Sequence, residues 1–541
     1  MYGTCWSACV QGIDGALIRV EIDLSNGLPL FSIVGLPDSA VRESAERVRA
    51  AIKNCGYEFP MKRITVNLAP ADVRKEGAVF DLAIAACILL TSGQWPDNLG
   101  ERTLLIGELA LDGRVRAVNG VMSMVDAAKT AGFEEVVVPE GNVKEASLIH
   151  GIRIRSVATL LDLDRKPSVT IREQQLGSSA RHVQHTPSHS QPDGASEDFS
   201  EVSGQWQAKR ALSIAAAGMH NILLSGPPGS GKTMLARRLP TIMPPLADDE
   251  ALEVTKIYSA AGLLRDRGEL LRNRPFRSPH HTVSPSGLVG GGGVPKPGEI
   301  SLAHRGILFL DELPEFPRNV LEVLRQPIED SRVTISRARM TLTFPSRILL
   351  AATMNPCPCG YFGFEDDRHY CVCTPPRLHA YRSRLSGPLL DRIDLQVYVP
   401  RLPPEDTWKL AGLQENHSKR LAAYASGALA ERVKAAHERQ AFRYRGLGVR
   451  YNSELTGKRL HSFVKLNGES SLLLQRAYTQ TGFSARGLDR LMKVARTIAD
   501  LDGSEDVCVE HVSEALLYRM MGTQTHVETS QAPSRPQNAS S

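Results

Sequence analysis

Apolar residues recur along this chain with a period of two in some stretches and of about 3.6 in others, and this contrast predicts its elements. The runs "ALIRVEIDL", "RITVNLAP" and "EEVVVPE" predict strands, and "SAVRESAERVRAAIKNCG" predicts an amphipathic helix among them. Residues 1–165 are therefore expected to form an α/β domain. A second α/β pattern covers 199–400, and a mostly helical pattern follows over 401–522.

Two segments lack any such periodicity. Residues 166–198 are rich in Ser, His, Gln and Pro, and we expect them to form a flexible linker. The polar residues 523–541 are expected to form a disordered tail. A chain of 541 residues is too long for a single core, which agrees with this division into several domains.

Composition narrows the class of protein. Hydrophobic residues make up 42% of the chain, and the net charge is +5. The longest apolar run, "LAIAACILL" at 82–90, is much shorter than the ~20 residues of a membrane-spanning helix. The N-terminus lacks the basic start and apolar stretch of a secretory signal. We therefore expect a cytoplasmic protein with no membrane partner.

A phosphate-binding loop is the clearest chemical motif. In "NILLSGPPGSGKTMLARRL" an apolar strand, a glycine-rich loop and a helix follow one another. The backbone N–H groups of such a loop surround phosphates, its Lys reaches the β and γ phosphates, and its hydroxyl residue binds Mg²⁺. The predicted ATP-binding residues are Gly226, Pro227, Pro228, Gly229, Ser230, Gly231, Lys232 and Thr233.

Two further strands are expected to complete this site. "GILFLDELPEF" ends a buried strand with Asp311 and Glu312, at the edge where α/β sheets bind ligands. We predict that Asp311 and Thr233 hold Mg²⁺ and that Glu312 polarises the attacking water. "RILLAATMNP" ends at Asn355, whose amide is expected to orient that water or contact the γ-phosphate. A helix start at the acidic pair and a turn at Asn355 are the alternatives.

Two further segments carry basic residues that are candidates for binding DNA. "SRVTISRARMTLTF" at 331–344 predicts two alternating strands with arginines at their turn, and residues 274–306 contain four consecutive glycines. Arginines at a hairpin tip bind DNA phosphates without sequence preference, whereas the alternative is a solvated turn. The predicted DNA-binding residues are Arg332, Arg337, Arg339 and Lys296.

Four of the nine cysteines form a cluster in "CPCGYFGFEDDRHYCVC". Four thiolates satisfy tetrahedral Zn²⁺, although these Cys-x-Cys pairs are tighter than the usual spacing, and His369 could replace one ligand. The alternative is that they are ordinary loop cysteines. The predicted structural zinc ligands are Cys357, Cys359, Cys371 and Cys373.

The order of these motifs resembles that of AAA+ ATPases, with Asn355 at the sensor position. The resemblance implies that Arg392 in "SGPLLDRIDL" is an arginine finger for the neighbouring subunit's ATP, with Arg384 as a lesser candidate. It makes Arg486 in "GFSARGLDRL" the second sensor, on a helical lid. An arginine supplied in trans implies a ring, and a homohexamer is expected. Each of these arginines could instead be a surface charge.

The insertions extend the resemblance to one branch of these proteins. The hairpin at 331–344 resembles the pre-sensor-1 hairpin of the magnesium chelatase and replicative (MCM) helicase branch, and the insertion at 274–306 resembles its helix-2 insertion. "FRSPHHTVSPSGLVGGG", "MNPCPCG" and "KVARTIADL" resemble the YifB/ComM family of magnesium chelatase-like ATPases. This implies a DNA helicase for branch migration in natural transformation, with single-stranded and branched DNA and a recombinase filament as partners.

The N-terminal region resembles the proteolytic domain of Lon through "ITVNLAPADVRKEGAVFDLAIAACILL" and the residues after it. Val79 and Met122 occupy the places of the nucleophilic Ser and the basic Lys, and neither can do that chemistry. A shifted alignment leaves Ser123 as a nucleophile, but Met124 is no better a base. We expect an inactive scaffold or a DNA-binding tier, as in RadA helicases. The alternatives for the whole chain are a magnesium chelatase motor subunit and an ATP-dependent protease.

Overall fold

The computed structural model describes residues 1–96, 99–164, 197–264, 268–292, 295–337, 340–363, 370–401, 421–481 and 483–527. Apart from its last two residues, the predicted linker at 166–198 lies outside these ranges. The last helix among the described residues ends at Val527, so it includes residues 523–527 of the predicted tail. The rest of that tail, 528–541, lies outside the described residues.

The described part of the N-terminal region, 1–96 and 99–164, contains nine strands, of which seven form one sheet. The strands are β1 (Tyr2–Gln11), β2 (Asp14–Ser25), β3 (Leu30–Val34), β4 (Arg63–Ala69), β5 (Thr103–Leu105), β6 (Glu108–Leu109), β7 (Val115–Arg116), β8 (Glu135–Pro139) and β9 (Arg153–Val157). The sheet has the order β3-β4-β2-β1-β5-β8-β9 and is mixed, with antiparallel pairs at β4-β2 and β2-β1. Alternate residues of β2, from Ile18 to Leu24, are buried, as a period of two requires.

Helices cover this sheet, namely α1 (Ser39–Asn54), α2 (Asp81–Thr91), α3 (Val121–Thr130) and the short α4 (Val143–Ala146). The apolar run at 82–90 lies in α2, where it is buried in the core. Among the described residues, no helix is both long and apolar enough to cross a membrane.

The second region is built on a five-stranded parallel sheet. Its strands are β10 (Ile222–Ser225), β11 (Phe276–Arg277), β12 (Gly290–Gly291), β13 (Lys296–Pro297), β14 (Ile307–Leu310), β15 (Arg332–Arg337), β16 (Met340–Pro345), β17 (Leu349–Met354) and β18 (Leu395–Tyr398). The sheet has the order β11-β14-β17-β10-β18, and the pairs β12-β13 and β15-β16 stand apart from it. Strands β10, β14 and β17 are almost fully buried, as is typical of parallel sheets covered on both faces.

The helices of this region are α5 (Trp206–Gly218), α6 (Lys232–Arg237), α7 (Asp248–Ala260), α8 (Pro285–Val289), α9 (Glu299–Leu302), α10 (Arg318–Val323), α11 (Arg325–Asp330), α12 (Pro375–Arg382) and α13 (Gly387–Asp391). The C-terminal helices are α14 (Ser426–Arg443), α15 (Gly457–Phe463), α16 (Gly468–Thr481), α17 (Ala485–Asp502) and α18 (Val509–Val527). The α/β architecture with its parallel sheet fits an AAA+ ATPase fold.

The N-terminal region contacts the second region through α3 and α7. Lys256 on α7 forms an ion pair with Asp126 on α3 at 2.5 Å. The hydroxyl of Ser259 donates a hydrogen bond to the buried Glu145 at 2.5 Å. At the turn between β1 and β2, Ile13 packs against the apolar cluster that includes Phe344 of β16. The N-terminal region therefore reaches the base of the inserted hairpin.

Candidate functional site

The phosphate-binding loop lies between β10 and α6. Gly231 has φ +89°, a left-handed conformation that favours glycine, and α6 begins at the next residue. The ammonium of Lys232 donates hydrogen bonds to the carbonyl oxygens of Gly226 and Pro227, each at 2.8 Å. It also donates to Asn355 Oδ1 at 3.2 Å. The parallel sheet thus brings the predicted sensor residue to the predicted phosphate-binding Lys.

Burial changes the protonation of Lys232. The residue is only 9% exposed, and desolvation lowers the pKa of its ammonium to about 8, although Asp311 and Glu312 act in the opposite direction. Bound phosphate groups would favour the charged form. The site is therefore expected to take up a proton when nucleotide binds above the pKa of Lys232.

The predicted Mg²⁺ ligands lie beside each other. Thr233 Oγ1 donates to the carboxylate of Asp311, at 3.1 Å to Oδ1 and 3.2 Å to Oδ2. Hydroxyl and carboxylate oxygens are the hard ligands that Mg²⁺ prefers beside substrate phosphates. These two residues therefore fit the ion that ATP brings.

Thr353 links the two acidic residues, and the sequence interpretation missed it. Its hydroxyl donates to Asp311 Oδ1 at 2.5 Å and accepts from the backbone N–H of Glu312 at 3.0 Å. Glu312 has φ +54°, which is rare for a residue other than glycine and clusters at functional sites. The signal was the position of Thr353 two residues before Asn355, at the carboxyl end of a buried strand.

Gln205 also supports the site and was not predicted. Its side-chain amide donates to the carbonyl oxygen of Ser230 at 3.3 Å and to that of Pro400 at 2.6 Å. It therefore ties the phosphate-binding loop to the end of β18. Its position immediately before α5, far from any motif along the chain, offered no signal.

Two of the three predicted arginines form ion pairs with the same carboxylate, that of Glu329. Arg392 forms an ion pair with Glu329, and Arg486 pairs with the same residue at 3.2 Å. Burial opposes the charged form of Glu329, but Arg392, Arg486 and Arg490 hold its pKa below its usual value. The side chain of Arg392 is only 11% exposed, whereas that of Arg486 is 67% exposed. Arg384, the lesser candidate, donates to the carbonyl oxygen of Pro314.

The two basic insertions are neighbours in space. Arg337, which pairs with Met340 across the hairpin, and Arg332 are exposed, and Arg339 lies outside the described residues. On the other insertion Lys296 is exposed and pairs with Gly291. A β-carbon built on Gly291 would lie 3.6 Å from Nη2 of Arg337. The fold therefore places Lys296 and Arg337 on adjoining small hairpins.

The four clustered cysteines converge. All four Sγ atoms lie within 4.8 Å of one another, and the three distances among those of Cys357, Cys359 and Cys371 are 3.2, 3.6 and 3.8 Å. Sulfur atoms around tetrahedral Zn²⁺ are separated by about 3.8 Å when each Zn–S bond is about 2.3 Å. The backbone N–H groups of Gly360 and Phe362 donate to Cys357 Sγ at 3.1 and 3.3 Å, a contact that suits a thiolate ligand. The cluster therefore fits a zinc ion.

Comparison with known families agrees with the motifs. Residues 198–407 match the family described as magnesium chelatase, subunit ChlI, residues 20–142 match subunit ChlI of Mg-chelatase, and residues 423–519 match the ChlI C-terminal family. The uncharacterized protein YifB of Escherichia coli is 42% identical over 512 residues, which cover 94% of this chain and 95% of that protein. The competence protein ComM of Haemophilus influenzae is 40% identical over 529 residues, which cover 95% and 97%.

The chain belongs to the YifB/ComM family of magnesium chelatase-like proteins. For a member of this AAA+ family, ATP and Mg²⁺ are the implied cofactors and ATP hydrolysis is the implied activity. The Lon protease of Mycolicibacterium smegmatis is also similar, at 25% identity over 174 residues, which cover 30% of this chain and 22% of that enzyme.

In this YifB/ComM family member, the residues at the Lon-like positions are packed away. Val79 and Met122 are buried in the N-terminal core. The remaining nucleophile candidate, Ser123, is also buried, and its hydroxyl donates to the carbonyl oxygen of Ile13 at 2.5 Å. A serine engaged with a backbone carbonyl lacks the base that would activate it.

Proposed function

We propose that this chain is a homohexameric, ATP-driven DNA helicase that promotes branch migration when DNA taken up in natural transformation is recombined. The observation that carries the proposal is the place of the basic hairpin. Along the chain, strands β15 and β16 lie between β14, which ends next to Asp311, and β17, which ends next to Asn355. The relative named competence protein ComM supports the link with transformation.

Each residue of the nucleotide site has a role in this proposal. Lys232 binds the β and γ phosphates, and Thr233 with Asp311 holds Mg²⁺. Glu312 polarises the attacking water, and Asn355 orients it against the γ-phosphate. Asn355 is hydrogen-bonded to Lys232, so a change at the γ-phosphate reaches the end of β17 directly.

The pairing of two arginines with Glu329 supports a ring. The hydrogen bonds and ion pairs of Arg392 and Arg486 go to Glu329 and to the carbonyl oxygen of Pro388 rather than to the phosphate-binding loop. We therefore propose that Arg392 is an arginine finger for the ATP of a neighbouring subunit, with Arg486 as the second sensor on the lid. Glu329 would hold Arg392 until the γ-phosphate of that subunit, with its greater negative charge, competes for it.

Movement of the hairpin is the proposed output. Only three residues, 346–348, separate the end of β16 from the start of β17. A shift of β17 on ATP hydrolysis would therefore move β15 and β16 with it. Arg337 at the end of β15, together with Arg339, Arg332 at the start of that strand and Lys296 on the adjoining hairpin, would carry the DNA backbone along a central channel.

Each domain predicted from the sequence has a role in this proposal. Residues 1–165 would form a scaffold or DNA-binding tier, 199–400 the motor and 401–522 a helical lid that carries Arg486. Zinc bound by the four cysteines would have a structural role. Recombinase filaments would be a further partner, because branch migration extends the joint that such filaments begin.

The test is the steady-state ATPase rate with and without single-stranded and four-way-junction DNA, at low and moderate salt. We expect strong stimulation by DNA, and its loss in Arg337→Ala/Arg339→Ala. The control, Arg432→Ala/Arg476→Ala, removes the same charge from two exposed residues of α14 and α16 and should keep the stimulation. If the protein forms hexamers whose ATPase rate is the same with and without DNA, the helicase proposal is contradicted.

The family descriptions favour a second candidate, a motor subunit of a magnesium chelatase. That function predicts ATPase activity that DNA does not change, so the same assay separates the two. An ATP-dependent protease is disfavoured by the engagement of Ser123 with a backbone carbonyl. If the wild type degraded casein and Ser123→Ala did not, the protease function would be supported instead.

A further inference from the structure

The loop that carries the cysteine cluster contacts the phosphate-binding loop at Pro228. Gly360, which follows Cys359 directly, lies against Pro228 so closely that a β-carbon built on it would be 2.5 Å from both Cγ and Cδ of the Pro ring. Pro228 lies next to Pro227, whose carbonyl oxygen accepts from Lys232. One loop thus carries the thiols and also supports the phosphate-binding loop.

The segment that carries the cluster is also connected to the sensor residue. Cys357 follows Asn355 by two residues, and Asn355 is the first residue after β17. On the other side of the cluster α12 returns to this segment, where the guanidinium of Arg382 lies 4.8 Å from the ring centroid of Phe362. The thiols therefore sit in a small unit that borders Asn355 on one side and Pro228 on the other.

We propose that zinc bound by these four cysteines stabilises the conformation of the nucleotide site. Zinc occupancy and ATP affinity are then thermodynamically coupled. Zinc holds the loop that bears Gly360 in the shape that supports Pro228 and Asn355. Without the metal this loop relaxes, and the phosphate-binding loop loses its support. The inference rests on the ATP and zinc assignments proposed above and not on DNA binding.

Coupling of this kind must be reciprocal. If zinc tightens ATP binding by a given factor, ATP tightens zinc binding by the same factor. We expect the affinity for a non-hydrolysable ATP analogue to fall about tenfold when zinc is removed, within the usual range of such couplings. We also expect the analogue to slow the loss of zinc to a chelator.

Two glycines of one loop offer a matched pair of variants. Gly360 and Gly363 both have positive φ, at +90° and +77°, so Ala is strained at either position. A β-carbon at Gly363 meets nothing within 4 Å, whereas one at Gly360 meets Pro228. The difference between Gly360→Ala and Gly363→Ala therefore reports the contact with Pro228 and not the backbone strain. Both variants keep all four thiols.

The experiment uses the full chain without DNA. Zinc content is measured by elemental analysis, analogue affinity by calorimetry, and zinc release by a metallochromic dye. Zinc-free protein is dialysed free of chelator and resupplied with Mg²⁺ before the calorimetry. Cys371→Ser, with Cys508→Ser as the control cysteine outside the cluster, gives a second route to the metal-free site.

We expect Gly360→Ala to retain zinc but to bind the analogue more weakly than Gly363→Ala does, and to lose the protection of zinc by the analogue, which Gly363→Ala keeps. Three results would overturn the proposal: protein that neither contains nor takes up zinc, zinc-free protein that binds the analogue as tightly as before, or identical behaviour of the two glycine variants. Because no readout involves DNA, a failure of the helicase proposal would leave these results interpretable.

Discussion

The ammonium of Lys232 and the side-chain amide oxygen of Asn355 are 3.2 Å apart, although 123 positions separate them along the chain. They meet because β10 and β17 are parallel neighbours, with Ser225 opposite Met354. The residue proposed to bind phosphate is thus in direct contact with the residue proposed to sense it. Although the two side chains touch, we predict different effects when each is replaced: loss of nucleotide binding for Lys232 and loss of hydrolysis for Asn355.

Asn355→Ala is expected to preserve ATP binding and to lower the rate of hydrolysis by about a hundredfold, the effect of removing one polar group aimed at the reacting phosphate. Lys232→Ala should instead abolish binding. Calorimetry with a non-hydrolysable analogue and steady-state ATPase rates measure the two effects. Loss of binding in Asn355→Ala equal to that in Lys232→Ala would contradict the assigned role of Asn355.

Nucleotide binding is expected to depend on pH through Lys232. Burial lowers the pKa of its ammonium to about 8, and bound phosphates should raise that pKa again. Affinity should therefore be constant well below pH 8 and should weaken as the pH rises through and above that value. Calorimetry near pH 8.5 in buffers of different ionisation enthalpy should show proton uptake on binding. Binding without proton uptake would show that Lys232 is already fully charged.

Thr353→Val is expected to lower the ATPase rate by about tenfold to a hundredfold, as is usual when a residue that orients metal ligands is lost. Val has nearly the shape of Thr but cannot donate to Asp311 or accept from the N–H of Glu312. The Mg²⁺ concentration needed for half-maximal activity should rise. Thr353→Ser keeps the hydroxyl and is the control. Equal rates in the Val and Ser variants would remove Thr353 from the proposed mechanism.

Mixed rings test whether Arg392 acts in trans. Arg392→Ala and Glu312→Gln should each be inactive in hydrolysis, because one lacks the proposed finger and the other lacks the water-polarising carboxylate. Mixing the two proteins should restore activity at interfaces where an intact Glu312 meets an intact Arg392 of the next subunit. A mixture as inactive as its components, in confirmed mixed hexamers, would place Arg392 outside the neighbour's site.

DNA affinity is expected to depend on salt in proportion to the number of phosphates that the protein neutralises. On single-stranded DNA, each phosphate neutralised by a basic side chain adds about 0.7 to the steepness of log affinity against log salt. Arg337→Ala/Arg339→Ala should therefore reduce the slope by about twice that amount. The control Arg432→Ala/Arg476→Ala should leave it unchanged. Fluorescence anisotropy over a series of salt concentrations measures both variants.

Motifs that depend on neighbouring residues in the chain could be predicted without a structure. A phosphate-binding loop needs a strand, glycines and a helix in immediate succession, so Gly226 to Thr233 were recognisable in the sequence. The same holds for the acidic pair after β14 and for the alternating strands that pair as β15 and β16. The assignment to the YifB/ComM family rested on such local motifs, and comparison with relatives over nearly the full chain confirmed it.

Contacts between distant segments were decided only by the tertiary structure. The position of Thr353 at the end of a buried strand places it near the site, but only the fold makes it the partner of Asp311. Glu329 lies on α11, far along the chain from the Arg486 that it pairs with. The packing of Gly360 on Pro228 likewise depends on how two loops meet at one sheet edge. The sequence by itself determined which groups can do chemistry, because backbone conformation and side-chain type act locally. The order of strands in the sheet decided which of those groups touch, because it sets distances between residues that the chain keeps far apart.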